Sequence, residues 1–313
     1  MKKSKNQFLW EIVWLWHNFC IFVFLKFRFA EKMVRRKRRE QLSADDKKRI
    51  AIVGIWLVAM ATLIVCCSLW CCHRQANGPE CHISIDSLEM VKIPASLPDT
   101  MVTYKGFTSY YNTELHVPNC VVYELKANEV DGNAENDNEF MIDEEVEGCA
   151  GPWEYQGSGY QRGHMAPAAD FKWDVAALFA TYYMTNICPQ MKVLNEGTWR
   201  RLEEKVREWA QRDSSLIVIT GPVLSKNMST IGQQTKVAVP EKFFKVILAP
   251  YAMPMRAIAF VMPNGQVKRK IMPYAATVDE VEQLTGLDFF SALPDDIENR
   301  IEANSSATLW MQF

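Results

Sequence analysis

The stretch IAIVGIWLVAMATLIVCCSLW, residues 50–70, runs for 21 residues without a charged side chain. Crossing a hydrocarbon core takes roughly 20 consecutive apolar residues in a helix. A buried helix of a water-exposed domain would keep a polar stripe, and this stretch has none. A transmembrane helix over 50–72 is therefore expected, and it divides the chain into two parts that face different surroundings.

The charge follows the same division. Residues 1–80 hold 15 Lys/Arg against 6 Asp/Glu, and the remainder holds 20 against 31. An earlier apolar stretch, 8–29, is interrupted by Glu11, His17 and Asn18 and carries Trp10, Trp14 and Trp16. Tryptophans at such places suit a membrane interface, so this stretch reads either as a second span or as an interfacial helix. Between the two, residues 26–49 contain eleven Lys/Arg, including the run RRKRR at 35–39. Basic loops stay on the cytoplasmic side. The loop 30–49 is thus expected in the cytoplasm, and the chain beyond residue 72 on the periplasmic or extracellular side of an inner or plasma membrane. No small-x-small cleavage site follows either apolar stretch. The expected organisation is a membrane anchor over 1–72, a polar linker over 73–100 and a folded domain over 101–313.

Four of the nine cysteines, Cys81, Cys120, Cys149 and Cys188, fall in the outer part. In an oxidising compartment they allow two disulfides in three connectivities, with free buried thiols as the alternative. Strand-like runs rich in Val, Tyr and Phe begin near Met101, and Val121, Tyr123 and Leu125 alternate with Val122, Glu124 and Lys126. Residues 129–147 carry nine acidic side chains and no basic one. Their spacing does not fit an EF-hand loop, and a solvated loop is expected. A short helix is expected over 173–184, with Val175, Leu178 and Phe179 on one stripe. A longer one is expected over 196–212, where Trp199, Leu202, Val206 and Trp209 recur at helical spacing. LIVITGPVL reads as a buried strand. Thr277 and Glu280 form a capping box ahead of Val278, Val281 and Leu284. Strands and helices mix without a βαβ rhythm, which indicates an α+β fold.

The chemistry concentrates at GSGYQRGHMAPAADF, residues 157–171. Arg162 offers a planar fork of donors suited to phosphate. Gly163 permits an unusual backbone angle or a close approach. His164 titrates near neutrality and can take a proton from water. Downstream, Asn195 precedes a helical period as an N-cap residue would, with Arg200, Arg201 and Glu203 beyond it.

The ordered blocks GYQRGHMAPAADF, TNICPQMKVLNEGTWRRLEE, TGPVL, VAVPEKFFKVIL and VDEVEQLTGLDFF resemble those of the sugar-non-specific DNA/RNA endonucleases, the endonuclease G-like group of ββα-metal nucleases. The resemblance spans about residues 101–295. It implies a central, mostly antiparallel sheet flanked by helices. It also implies hydrolysis of DNA and RNA phosphodiesters without sequence specificity, leaving 5′-phosphate ends. His164 would be the general base, and Asn195 the protein ligand of one Mg²⁺, or of Mn²⁺ in its place. Arg162 would contact the phosphate, while Asn186 and Glu203 would support the metal's waters and His164. Independently of the resemblance, Arg162, Lys172, Lys192, Arg200 and Arg201 can form a local basic strip for the substrate in a part of the chain that is acidic on average. A homodimer is compatible with the resemblance. The sequence departs from the group's usual Asp-Arg-Gly-His at Gln161, where an amide replaces the acid. If that acid is essential, the alternative is a catalytically impaired module that binds nucleic acid or a protein on the same scaffold.

Overall fold

The computed structural model describes residues 84–305 and 307–311, together with the isolated positions 48, 52–54 and 56. Apart from those positions, the expected anchor helices 8–29 and 50–72 and the basic loop lie outside the described residues. Among the described residues no helix is long and apolar enough to cross a membrane. The chain divides into two compact units, Met1–Cys81 and His82–Phe313, and the second holds the elements below.

Seven strands form one sheet in the order β1 (Thr100–Tyr104), β2 (Phe107–Asn112), β3 (Val117–Lys126), β6 (Ser215–Pro222), β9 (Lys242–Ala249), β10 (Arg256–Pro263) and β11 (Ala275–Ala276). Every pairing within it is antiparallel, and two further antiparallel pairs stand outside it, β4 (Gln161–His164) with β5 (Ile187–Gln190) and β7 (Thr230–Ile231) with β8 (Val237–Ala238). The central strands are buried on both faces, which explains why LIVITGP reads as a continuous apolar run rather than an alternating one. Alternate residues divide between two cores. Val121, Tyr123, Leu125, Val218, Ile247 and Phe260 enter one. Cys120, Val122, Ile219, Val246, Leu248 and Ala259 enter the other.

The first core is covered by α3 (Arg200–Asp213), whose Trp199, Leu202, Val206 and Trp209 are all buried. The second is covered by α4 (Val278–Thr285) and α5 (Asp295–Glu302), through Val278, Val281 and Ile301. The capping box at the start of α4 forms as expected. Thr277 Oγ1 accepts from Glu280 N at 3.1 Å, and Thr277 N donates to Glu280 Oε2 at 2.8 Å. Leu284, however, is 40 % exposed and lies off the buried face. The short helix α2 (Val175–Ala180) is narrower than expected, capped by Asp174. Of its expected stripe only Leu178 is buried, while Val175 and Phe179 are exposed.

Within the stretch read as a linker, the short helix α1 (Ile85–Leu88) buries Leu88, and Val91 follows it into the second core. Lys92 there bridges to Asp288. The expected disulfides are not formed: Cys120, Cys149 and Cys188 are free thiols. Cys81 lies outside the described residues. The sheet itself keeps Cys120, in the second core, apart from Cys149 and Cys188, which belong to the first.

Candidate functional site

Outside the main sheet, β4 (Gln161–His164) pairs antiparallel with β5 (Ile187–Gln190). The chain then enters a wide helical turn, Leu194–Trp199, that leads into α3. The result is a β-hairpin-like pair followed by a helix, and each sequence-predicted residue sits on it or beside it.

Strand geometry puts Arg162 and His164 on one face of β4 and Gln161 and Gly163 on the other. The imidazole of His164 packs between Phe140 and Tyr182, with ring centroids 5.3 and 5.1 Å away. Its Nε2 is buried and has no hydrogen-bond partner. Burial in this aromatic setting lowers its pKa from 6.5 to about 4, because the charged imidazolium loses its hydration. His164 is therefore a neutral imidazole across the physiological range, in the state needed to accept a proton. Phe140 also lies under the Arg162 guanidinium, 5.4 Å from the ring centroid, with Tyr155 at 5.7 Å. Arg162 donates from Nε and Nη2 to the carbonyl of Pro152. Two of its donors are thus tied to the protein, which orients the remaining edge of the fork.

Gly163 is required by close approach rather than by backbone angle. A Cβ there would lie 2.2 Å from Gln190 Oε1. Gln190 is fully buried against it on the neighbouring strand.

Asn195 is not an N-cap. It lies within the wide turn, where Gly197 breaks the helical geometry at φ −104°, ψ −114°. The chain is kinked there rather than continuously helical, so Asn195 stands outside the register of α3. Gln161 reaches across from β4 to this turn. Its Oε1 accepts from Asn195 Nδ2 at 2.9 Å, and its Nε2 donates to Glu196 Oε1 at 2.6 Å. Asn195 is half-buried, and its Oδ1 is left without a protein donor among the described residues. Gln161 is thus the residue that fixes the Asn195 amide.

Asn186 takes a different part from the one expected. Its Nδ2 donates to the carbonyls of Ala166 and Thr181, both at 2.9 Å, and its Oδ1 accepts from Ala166 N at 2.8 Å. Both amide hydrogens are held by main chain, so this side chain clamps the segment leaving His164 and has no donor left for a metal's waters.

Glu203 belongs to a charged cluster beneath α3 that sequence reasoning missed. Asp170 is buried, accepts from Arg207 Nη1 at 2.8 Å and from Tyr123 Oη at 2.8 Å. Lys245, fully buried on β9, donates to Thr220 Oγ1 at 2.6 Å and lies 5.1 Å from the centroid of the Trp199 ring. Burial raises the pKa of Glu203, and the Lys245 charge works against that rise. Burial lowers the pKa of Lys245, with Glu203 opposing. The one available signal was the lysine interrupting FFKVILA, an otherwise apolar buried strand.

Part of the expected basic strip is paired within the protein. Lys192 lies 3.9 Å from Glu196 and Arg200 3.6 Å from Glu204. Arg201 makes no ion pair among the described residues. Lys192 and Glu196 line a groove of about 450 Å³, with Gly159, Met191 and Gln266. A second groove, of about 310 Å³, is lined by Lys172, Asn138 and Tyr182, so it shares the aromatic wall of His164.

These elements have counterparts in known proteins. The profile of the family described as DNA/RNA non-specific endonuclease matches residues 87–296. The chain is 34 % identical over 212 residues to a mitochondrial nuclease of Saccharomyces cerevisiae, a match covering 60 % of this chain and 64 % of that protein. It is 33 % identical over 222 residues to a nuclease of Nostoc sp., covering 66 % and 79 % respectively. The similarity thus spans somewhat under two thirds of the yeast protein's length. A solved structure of the EndoG/EndoGI complex, described as the mechanism of EndoG inhibition, aligns with a TM-score of 0.58 at 29 % identity. That alignment covers 63 % of this chain and 88 % of the other.

Proposed function

Because the chain belongs to the DNA/RNA non-specific endonuclease family, we propose that it hydrolyses phosphodiester bonds of DNA and RNA with His164 as general base and Asn195 as the protein ligand of one Mg²⁺. The observation that carries this reading is the pairing of a neutral, aromatic-walled imidazole on β4 with an asparagine whose Oδ1 is held free by Gln161.

The donor set suits the ion. Asn195 Oδ1 is a hard oxygen donor on a half-exposed turn, and Mg²⁺ keeps several waters and needs few protein ligands. When bound, the ion would supply Lewis-acid stabilisation of charge on the phosphate and the departing oxygen. The protein's own residues do the rest. His164, kept unprotonated by burial, accepts the proton of the attacking water at its ring nitrogen. The free edge of Arg162, oriented by Pro152 and its aromatic stack, meets the anionic phosphate. Asn186 holds the backbone that follows His164, so the imidazole keeps its place. The products carry 5′-phosphate and 3′-hydroxyl ends. Gln161, which replaces an acid in the group's usual pattern, retains a structural task as the brace of Asn195. That favours an active enzyme over a non-catalytic binding module.

The charge pattern and apolar stretches of residues 1–72 support a membrane-anchored enzyme whose folded unit faces the periplasm or exterior. The test of function is incubation of the purified protein with plasmid and with RNA, with Mg²⁺ or with EDTA. Cleavage of both that EDTA abolishes is expected, and no EDTA-sensitive cleavage of either would contradict the reading.

A further inference from the structure

Three carboxylates meet on the face of the sheet opposite His164. Asp279 and Glu282 are one turn apart on α4, and Glu302 is the last residue of α5. One oxygen from each lies within 4.8 Å of the others. Glu302 is 6 % exposed, and its Oε1 is buried without any hydrogen-bond partner. Glu282 is oriented by Phe289 N, which donates to its Oε1 at 2.8 Å. The carboxylate of Glu302 also sits at a helix C-terminus, where the helix dipole opposes negative charge. The charges that act on it are those of Glu282, Glu298, Asp279 and Asp288, all of them acids. Lys92, the basic residue bridged to this face, is held by Asp288 at 2.9 Å. A buried, unpartnered carboxylate among further carboxylates is an unfavourable arrangement unless a positive charge completes it.

We propose that Asp279, Glu282 and Glu302 form a structural Ca²⁺ site, separate from the nuclease centre, that joins α4 to α5. The donor set favours the ion: oxygens within 4.8 Å of one another can share Ca²⁺, which takes carboxylates in a flexible shell at about 2.3–2.6 Å, whereas Mg²⁺ demands a near-ideal octahedron and gives up its waters reluctantly. Asp279 and Glu282 are only half-buried, so water reaches the site to fill the remaining positions of a roughly six- to eight-coordinate shell.

The test is calorimetric Ca²⁺ titration and thermal melting of the full chain carrying Asn195→Ala, which removes the proposed nuclease-site ligand, with and without Glu302→Gln. Asn195→Ala alone should bind Ca²⁺, and its Tm should rise by about 5–10 °C at a hundredfold excess over Kd. Adding Glu302→Gln should weaken binding at least about tenfold and remove most of that rise. Mg²⁺ should substitute at least about tenfold more weakly. Equal Ca²⁺ responses in the two variants, or none in Asn195→Ala, would overturn the proposal and leave shared protons as what holds the carboxylates. Should Glu302→Gln fail to melt cooperatively, Asp279→Asn at its half-exposed position replaces it, and an undiminished Ca²⁺ response there is equally decisive.

Discussion

At the residue scale, the positions that carry the account differ in how openly the sequence displays them. Arg162, Gly163 and His164 were legible because their chemistry is rare in combination, and the structure adds a steric reason for the glycine between them. Introducing Gly163→Ala places a methyl against Gln190 and should destabilise the fold by about 1–3 kcal/mol in urea unfolding. Adding Gln190→Ala should recover part of that loss, and strict additivity would mean the contact is not the cause. Gln161 was legible only as a departure from a pattern. Its bonds to Asn195 and Glu196 join residues about 35 positions apart, which no local reading reaches. Gln161→Ala should raise the Mg²⁺ concentration for half-maximal cleavage by about 10–100-fold. An unchanged metal requirement would remove Gln161 from the site. The aromatic wall sets the pH response. Since burial lowers the folded-state pKa of His164 to about 4, the proposed base stays unprotonated until the pH falls well below its ordinary 6.5. The acid limb of kcat/KM should lie near that lower value, and a limb at or above 6.5 would show that the imidazole is hydrated in the working enzyme.

At the element scale, α3 was legible from its tryptophans and β6 from its apolar run, because burial there follows a simple period. The kinked turn before α3 was not, since a break at Gly197 has no periodic signature and Asn195 looks like an ordinary cap. Phe140 and Asp143 were hidden differently. They belong to the acidic stretch 129–147 read as a solvated loop, yet Phe140 packs at a tilt against His164 and Asp143 is buried, accepting from Tyr104. The charged cluster under α3 gives a clean test of what fixes this helix. Arg207→Ala leaves Asp170 buried without its cation, and removing one partner of such a pair costs about 3–5 kcal/mol. Equilibrium urea unfolding should show a loss of that size. A change under about 1 kcal/mol, as for surface pairs, would mean that water reaches Asp170.

At the scale of the whole molecule, the α+β class was legible because strands and helices mix without a βαβ rhythm, and the sheet is antiparallel even where helices lie between neighbouring strands, as between β3 and β6. The free thiols of Cys120, Cys149 and Cys188 show the limit of cysteine counting, since three-dimensional placement decides which thiols can meet. The proposed anchor rests on the charge pattern and apolar stretches of residues 1–72. The full chain should sediment with membranes and be released by detergent but not by high salt, whereas residues 82–313 expressed alone should remain in the supernatant. Release of the full chain by salt would reduce the anchor to surface attachment.

The central claim is that a family nuclease works here through His164, and the most direct measurement is kcat/KM for plasmid cleavage in Mg²⁺ by the parent and by His164→Ala. A fall of about 10²–10⁴-fold is expected, in a variant that still unfolds cooperatively. Cleavage by the variant within about tenfold of the parent would contradict it.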